Sequence, residues 1–176
     1  MPAASKTTPT AVPSARVGKL GRSERVTFVP EMLILPGSAR AGVVPAATVD
    51  GRLKVPEDVE HVGWWDGSAY AGDPFGSTVI AGHVDSATGA KGFFAGLQRV
   101  KVGDVVTLRA GPRRLSYRIF QVRTVNRRAL ATDSEAFDQT GVHRLVLITC
   151  TGTFRRDRGG YESNLVVIGR PLGLAR

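Results

Sequence analysis

The sequence predicts an all-β domain with minor helix, and three observations carry that prediction. Seven or eight short runs are β-branched or alternate apolar with polar residues, Pro, Gly, Asp or Asn punctuates them, and helix signals are sparse. Strands of this number and spacing suggest an antiparallel barrel or sandwich.

In chain order, residues 1–22 are rich in Ser, Thr, Pro, Ala and base, lack any apolar period, and read as a flexible tail. The folded domain is expected over 23–176. Its strand candidates are "RVTFVP", "LKVP", "STVIAGHV", "DVVTLRA", "LSYRIFQVRTV", "RLVLITC" and "NLVVIGR", with "GPRR" as a hairpin turn. "AKGFFAGLQRV" has the makings of one helical turn, and "TDSEAFDQ" offers an N-cap before a short helix. No internal repeat is present.

A chain of 176 residues is long enough for one sizeable core. Its 24 Lys and Arg exceed its 15 Asp and Glu, for a net charge of +9. That excess suits nucleic acid, an anionic membrane or an acidic wall polymer. Without an aromatic-interleaved basic motif or a helix-turn-helix pattern, nucleic acid is not expected as a partner. A single cysteine excludes an internal disulfide and a multi-cysteine metal site. No apolar run approaches the roughly 18 residues needed to span a bilayer, and no signal-peptide core is evident. Any membrane anchor is therefore expected outside this chain.

The candidate chemistry centres on Cys150 and His83. Each ends an apolar strand, His83 directly after Gly82, where a chain leaving a barrel exposes its next side chain. A cysteine nucleophile must ionise, and a nearby cation or imidazole favours the thiolate. A histidine can also protonate a leaving amine. The competing interpretation of a lone cysteine after a strand is a small buried hydrophobe. Arg155, Arg156 and Arg158 follow the thiol, and at most one is expected to fold back as an oxyanion donor. His61 reads as structural, His143 as a turn residue and Asp85 as a turn cap. Phe93 and Phe94 suit core packing better than a cleft wall. No His, Asp, Glu and Cys spacing fits a metal site, so neither metal nor cofactor is expected.

"LITC" at 147–150 resembles the Leu-x-Thr-Cys signature of the sortases, and "VIAGHVDS" at 79–86 resembles their histidine segment. "VTFVPEMLI", "LKVPEDVEHVGWW", "KGFFAGLQRVKVGDVVTL", "YRIFQV" and "YESNLVV" extend the likeness over nearly all of 23–172, closest to the class F or E-like actinobacterial members. The resemblance implies an eight-stranded sortase-type β-barrel with short helices. It further implies a cysteine transpeptidase that cleaves an LPxTG-like signal between Thr and Gly through a thioacyl intermediate. An amine of peptidoglycan or a pilin lysine would accept the acyl group, and water would do so in its absence.

By the same resemblance His83 and Cys150 are catalytic and Thr149 and Asn164 help bind substrate. The position at which many sortases carry the catalytic arginine is Asn164 here, and spacing alone makes Arg156 the expected arginine, with Arg158 next. The sequence departs from the class F pattern in "TCTGTFRR", where Thr151 and Arg155 stand for Gly and Asp. The implied setting is the extracytoplasmic surface, for a monomer attached by an anchor not present in this chain. The alternative function is a non-catalytic basic barrel that binds anionic wall polymer.

Overall fold

The computed structural model describes residues 25–176, and the tail expected over 1–22 lies outside the described residues. Its strands are β1 (Met32–Ile34), β2 (Arg40–Ala46), β3 (Thr48–Val49), β4 (Arg52–Leu53), β5 (Val62–Trp65), β6 (Ser77–Ala81), β7 (Val105–Ala110), β8 (Arg113–Asn126), β9 (Arg144–Arg155) and β10 (Gly160–Pro171). Two four-residue helices, α1 (Arg127–Leu130) and α2 (Ser134–Phe137), bridge β8 and β9. Eight strands close a barrel in the order β1-β2-β5-β6-β9-β10-β8-β7, while β3 and β4 form a separate two-stranded ribbon.

The expected strands are present with instructive departures. "RVTFVP" contributes only an isolated bridge between Phe28 and Ala71. Of "LKVP" only Leu53 is in a strand, the end of the two-residue β4 outside the barrel, and Pro56 beyond it cannot donate to a ladder. The barrel is not wholly antiparallel, because β2 pairs with β5 and β6 with β9 in parallel. "GPRR" is the β7–β8 turn, as expected. "GFFAGLQRV" makes two 3-10 turns, Phe93–Ala95 and Leu97–Arg99, rather than one helical turn. In the "TDSEAFDQ" segment the Asp133 carboxylate caps α2 by accepting from the Ala136 amide.

The unbroken apolar runs of β6, β9 and β10 follow from burial on both faces. Ile80, Leu145, Leu147, Leu165 and Val167 point into the barrel, with Leu33, Leu108 and Ile119 opposite them. Val79, Ala81, Val146, Ile148, Val166 and Ile168 face outward, yet they are buried beneath Leu53, Val55, Leu130 and Phe137. Fully burying one such side chain is worth roughly 1.5–3 kcal/mol, which ties the ribbon and helices to the barrel wall. A one-residue slip of β9 would exchange its two faces and turn Cys150 the other way.

One expectation is corrected here and another is met. His143, expected as a turn residue, is instead buried just before β9, its Nε2 3.0 Å from the Tyr117 hydroxyl. Burial holds its pKa below the usual histidine range, so Nε2 is free to accept from Tyr117. Phe94 is fully buried and Phe93 half-buried against the core, so both pack rather than line the cleft.

Candidate active site

The parallel register of β6 and β9 sets Ala81 opposite Ile148. Two residues further, both chains reach the same rim of the barrel, one at His83 and the other at Cys150. Gly82 makes this exit possible, since a Cβ there would lie 2.7 Å from the Phe94 ring and 2.9 Å from Val62. The Gly82 amide donates to the Ile148 carbonyl at 3.1 Å, and the buried Thr149 hydroxyl donates to the Gly82 carbonyl at 2.9 Å. Thr149 is thus a clamp joining the two strand ends.

Behind His83 the chain is fixed as well. The Phe94 amide donates to the His83 carbonyl at 3.2 Å, and the Gly92 amide to Val84 at 2.9 Å. An isolated antiparallel backbone bridge pairs Asp85 with Lys91 across the intervening loop.

His83, Thr149, Cys150 and Asn164 all line one cavity of about 1200 Å³. Its floor is the outward layer at Ala81 and Ile148, its wall includes Leu53, Val55, Leu130 and Phe137, and its far side carries Asn126, Arg127 and Arg128. Asn164 lies between Cys150 on β9 and Val125 on β8, in register with both. Arg127 is two residues beyond Val125 and opens α1, which Asn126 caps by accepting from the Arg128 amide at 3.0 Å. The Arg127 guanidinium donates to the Gly159 carbonyl at 2.8 Å. Gly159 has φ of 72°, a left-handed turn that a side chain would strain.

Cys150 is half-buried, and burial is the main influence on its thiol, pushing the pKa up. The positive charge of Arg127 opposes that shift, while the carboxylate of Asp85 adds to it. Asp85 accepts a short hydrogen bond from the Tyr161 hydroxyl, so the loop after His83 is tied to the start of β10. That bond, which favours the neutral phenol, pushes the Tyr161 pKa up to about 12. Asp85 is thus more than the turn cap expected from its sequence.

The arginines that follow the thiol are placed otherwise than expected. Arg156 is exposed in the 3-10 turn Arg156–Arg158 and is not among the described residues that line the cavity. Arg155 pairs with Glu162 at 3.1 Å, and the side chain of Arg158 lies outside the described residues. Arg127 escapes a reading of the sequence because both helices and half of β9 separate it from the cysteine. The signal available was Asn126, a helix-capping residue ending a long strand.

A closed barrel that brings a cysteine and a histidine to one rim has the groups that thiol-dependent acyl transfer needs. Residues 36–172 match the Sortase domain family model, and the chain belongs to the sortase family, cysteine transpeptidases that act at the cell surface on sorting-signal proteins and pilins. A comparison with curated proteins gave no match.

Among solved structures, the chain is similar to sortase C-1 from Actinomyces oris, with 21% identity, a TM-score of 0.60, and 81% of this chain and 72% of that one covered. A lid mutant of sortase A from Corynebacterium diphtheriae gives 21% identity and a TM-score of 0.61, covering 87% and 74%. Sortase C from Streptococcus pneumoniae gives 20% and 0.60, covering 81% of this chain but 65% of that one. These likenesses bear on the fold, and they accord with the eight-stranded closed barrel.

Proposed function

We propose that this sortase domain cleaves an LPxTG-like signal between Thr and Gly and passes the acyl group to an amine, with Cys150 as nucleophile and His83 as acid and base. His83 takes the thiol proton as sulfur attacks the threonyl carbonyl carbon, and it returns that proton to the nitrogen of the departing glycine. The C–N bond breaks and a thioester remains. An acceptor amine then attacks the thioester, His83 removes the amine's proton, the C–S bond breaks, and the sulfur is reprotonated. Water in place of the amine yields the free acid. The acceptor is an amine of peptidoglycan or a pilin lysine.

The observation that carries this reading is the parallel β6–β9 register, which brings the two strand ends carrying His83 and Cys150 to one cavity. The reading gives the arginine's part to Arg127 rather than Arg156, because Arg127 lines the cavity and its charge favours the thiolate. Its guanidinium would steady the oxyanion of the tetrahedral intermediate. Asn164 and Thr149 are assigned to substrate binding, Asn164 as a neutral donor and Thr149 through its hold on Gly82. The sequence segments favour class F or an E-like class, a monomer, and an extracytoplasmic, membrane-anchored setting.

Intact-mass measurement after incubation with an LPxTG peptide, and separately an LAxTG peptide, tests the reaction. The expected result is an increase matching the acyl fragment, absent in Cys150→Ala. Cleavage by Cys150→Ala would overturn the nucleophile. No adduct and no cleavage with either peptide, even with added amine, would favour the wall-polymer-binding alternative.

A further inference from the structure

Away from the cleft, the outward face of β7, β8 and the end of β10 carries arginines without carboxylate partners. Arg109 on β7 lies opposite Arg114 on β8, and Arg118 lies between Val105 on β7 and Arg170 on β10. All four arginines are exposed, and none makes an ion pair among the described residues. Arg109 and Arg118 reach only the carbonyls of Gly111 and Gly103, and Arg170 lies 4.4 Å over the Phe120 ring. The nearby acids Glu31 and Asp104 are engaged by the backbone amides of Gly111 and Lys101.

Exposed aliphatic side chains flank these arginines on both sides. Val105 on β7 and Val102 in the turn before it border β8 from one edge. Leu172 and Leu174 border it from the other, in the stretch that continues β10 beside Ser116 and Arg114. These four are between 39% and 64% exposed. Isolated exposed aliphatics are ordinary, but a set of four among unpaired guanidiniums is a coherent amphipathic surface.

We infer that this face docks on an anionic lipid bilayer. Guanidinium groups engage lipid phosphates through paired N–H donors, and the aliphatic side chains enter the zone beneath the headgroups. A phosphate polymer in water would match the arginines but leave the aliphatics unused. A nucleic acid would want stacking aromatics, whereas Phe120 is covered by Arg170. Six residues of β10 separate Arg170 from Asn164, about 20 Å at strand rise, so docking leaves the cleft open. The inference stands apart from the reaction proposed above.

Flotation of the full chain with vesicles of phosphatidylcholine, with or without phosphatidylglycerol, tests it. Binding is expected only with phosphatidylglycerol and is weakened by salt. Arg114→Glu with Arg118→Glu should lower the partition coefficient at least about tenfold. Val105→Ser with Leu172→Ser should lower it less. A milder pair, Arg114→Gln with Arg118→Gln, and the thermal melting of each variant guard against misfolding. Wild-type protein that fails to float, or arginine variants that float as well as wild type, would overturn the inference. So would full retention by the Val105 and Leu172 variant, and competition by soluble polyphosphate would then identify a polymer partner instead.

Discussion

Two groups of arginines flank the thiol, one near in sequence and the other near in space, and they differ in what they can do to it. Arg155 and Arg156 follow Cys150 by only five and six residues, but β9 is extended there, and five residues of strand carry the chain some 16 Å from the rim. Arg127 lies 23 residues before the cysteine. It returns because β10 pairs with both β8 and β9, aligning Val125, Asn164 and Cys150 across three strands. Two strand spacings of about 4.8 Å separate β8 from β9, so Arg127 faces the thiol across a cleft about 10 Å wide, and both residues line its cavity. Proximity along a strand separates charges, and proximity across a sheet assembles them.

The sharpest way to break this comparison is to truncate one member of each group. Arg127→Ala should lower the rate of thioester formation about 100-fold, the magnitude typical of a lost oxyanion donor, and Arg156→Ala should leave it nearly unchanged. Equal rate losses in single-turnover measurements would remove the distinction.

A smaller effect is expected from Tyr161→Phe, which removes the tie between the start of β10 and the loop after His83. The rate should fall several-fold while the melting temperature stays close to that of the parent. Near-parent rates in the same single-turnover assay would reduce the tie to a surface contact.

The pH dependence of thiol alkylation sharpens the electrostatic side. Only the thiolate reacts, and burial raises the Cys150 pKa, so the rate should rise with pH at values above those of an ordinary cysteine. Arg127→Ala removes a positive charge that favours the thiolate, so its profile should move to still higher pH. Asp85→Asn removes a negative charge, and its profile should move lower. A profile for Arg127→Ala coincident with the parent would show that the guanidinium does not act on the sulfur. The smallest effect is expected at Arg155, whose exposed pair with Glu162 should cost less than about 1 kcal/mol on Arg155→Ala, read by denaturant unfolding.

The fold was legible because β6, β9 and β10 carry unbroken apolar runs, which chains buried on both faces require. The parallel pairing of β6 with β9 was not legible, since short apolar runs carry no sign of direction. His83 and Cys150 were visible at strand ends, and the "LITC" and "VIAGHVDS" segments set them in a family pattern. Arg127 was hidden because its position depends on the register of three strands rather than on nearby residues. Asp85 was underestimated for a related reason, as its partner Tyr161 lies 76 positions away. His143 read as a turn because nothing local reveals that Tyr117 reaches it through the core.

The β6–β9 register also has a consequence for the order of folding. Joining Ala81 to Ile148 closes a loop of 67 residues, a contact of the slow, non-local kind. Before that closure the sulfur has neither its histidine neighbour nor its burial, and it behaves as the thiol of an open chain. Alkylation kinetics followed during refolding would therefore time the closing of the barrel.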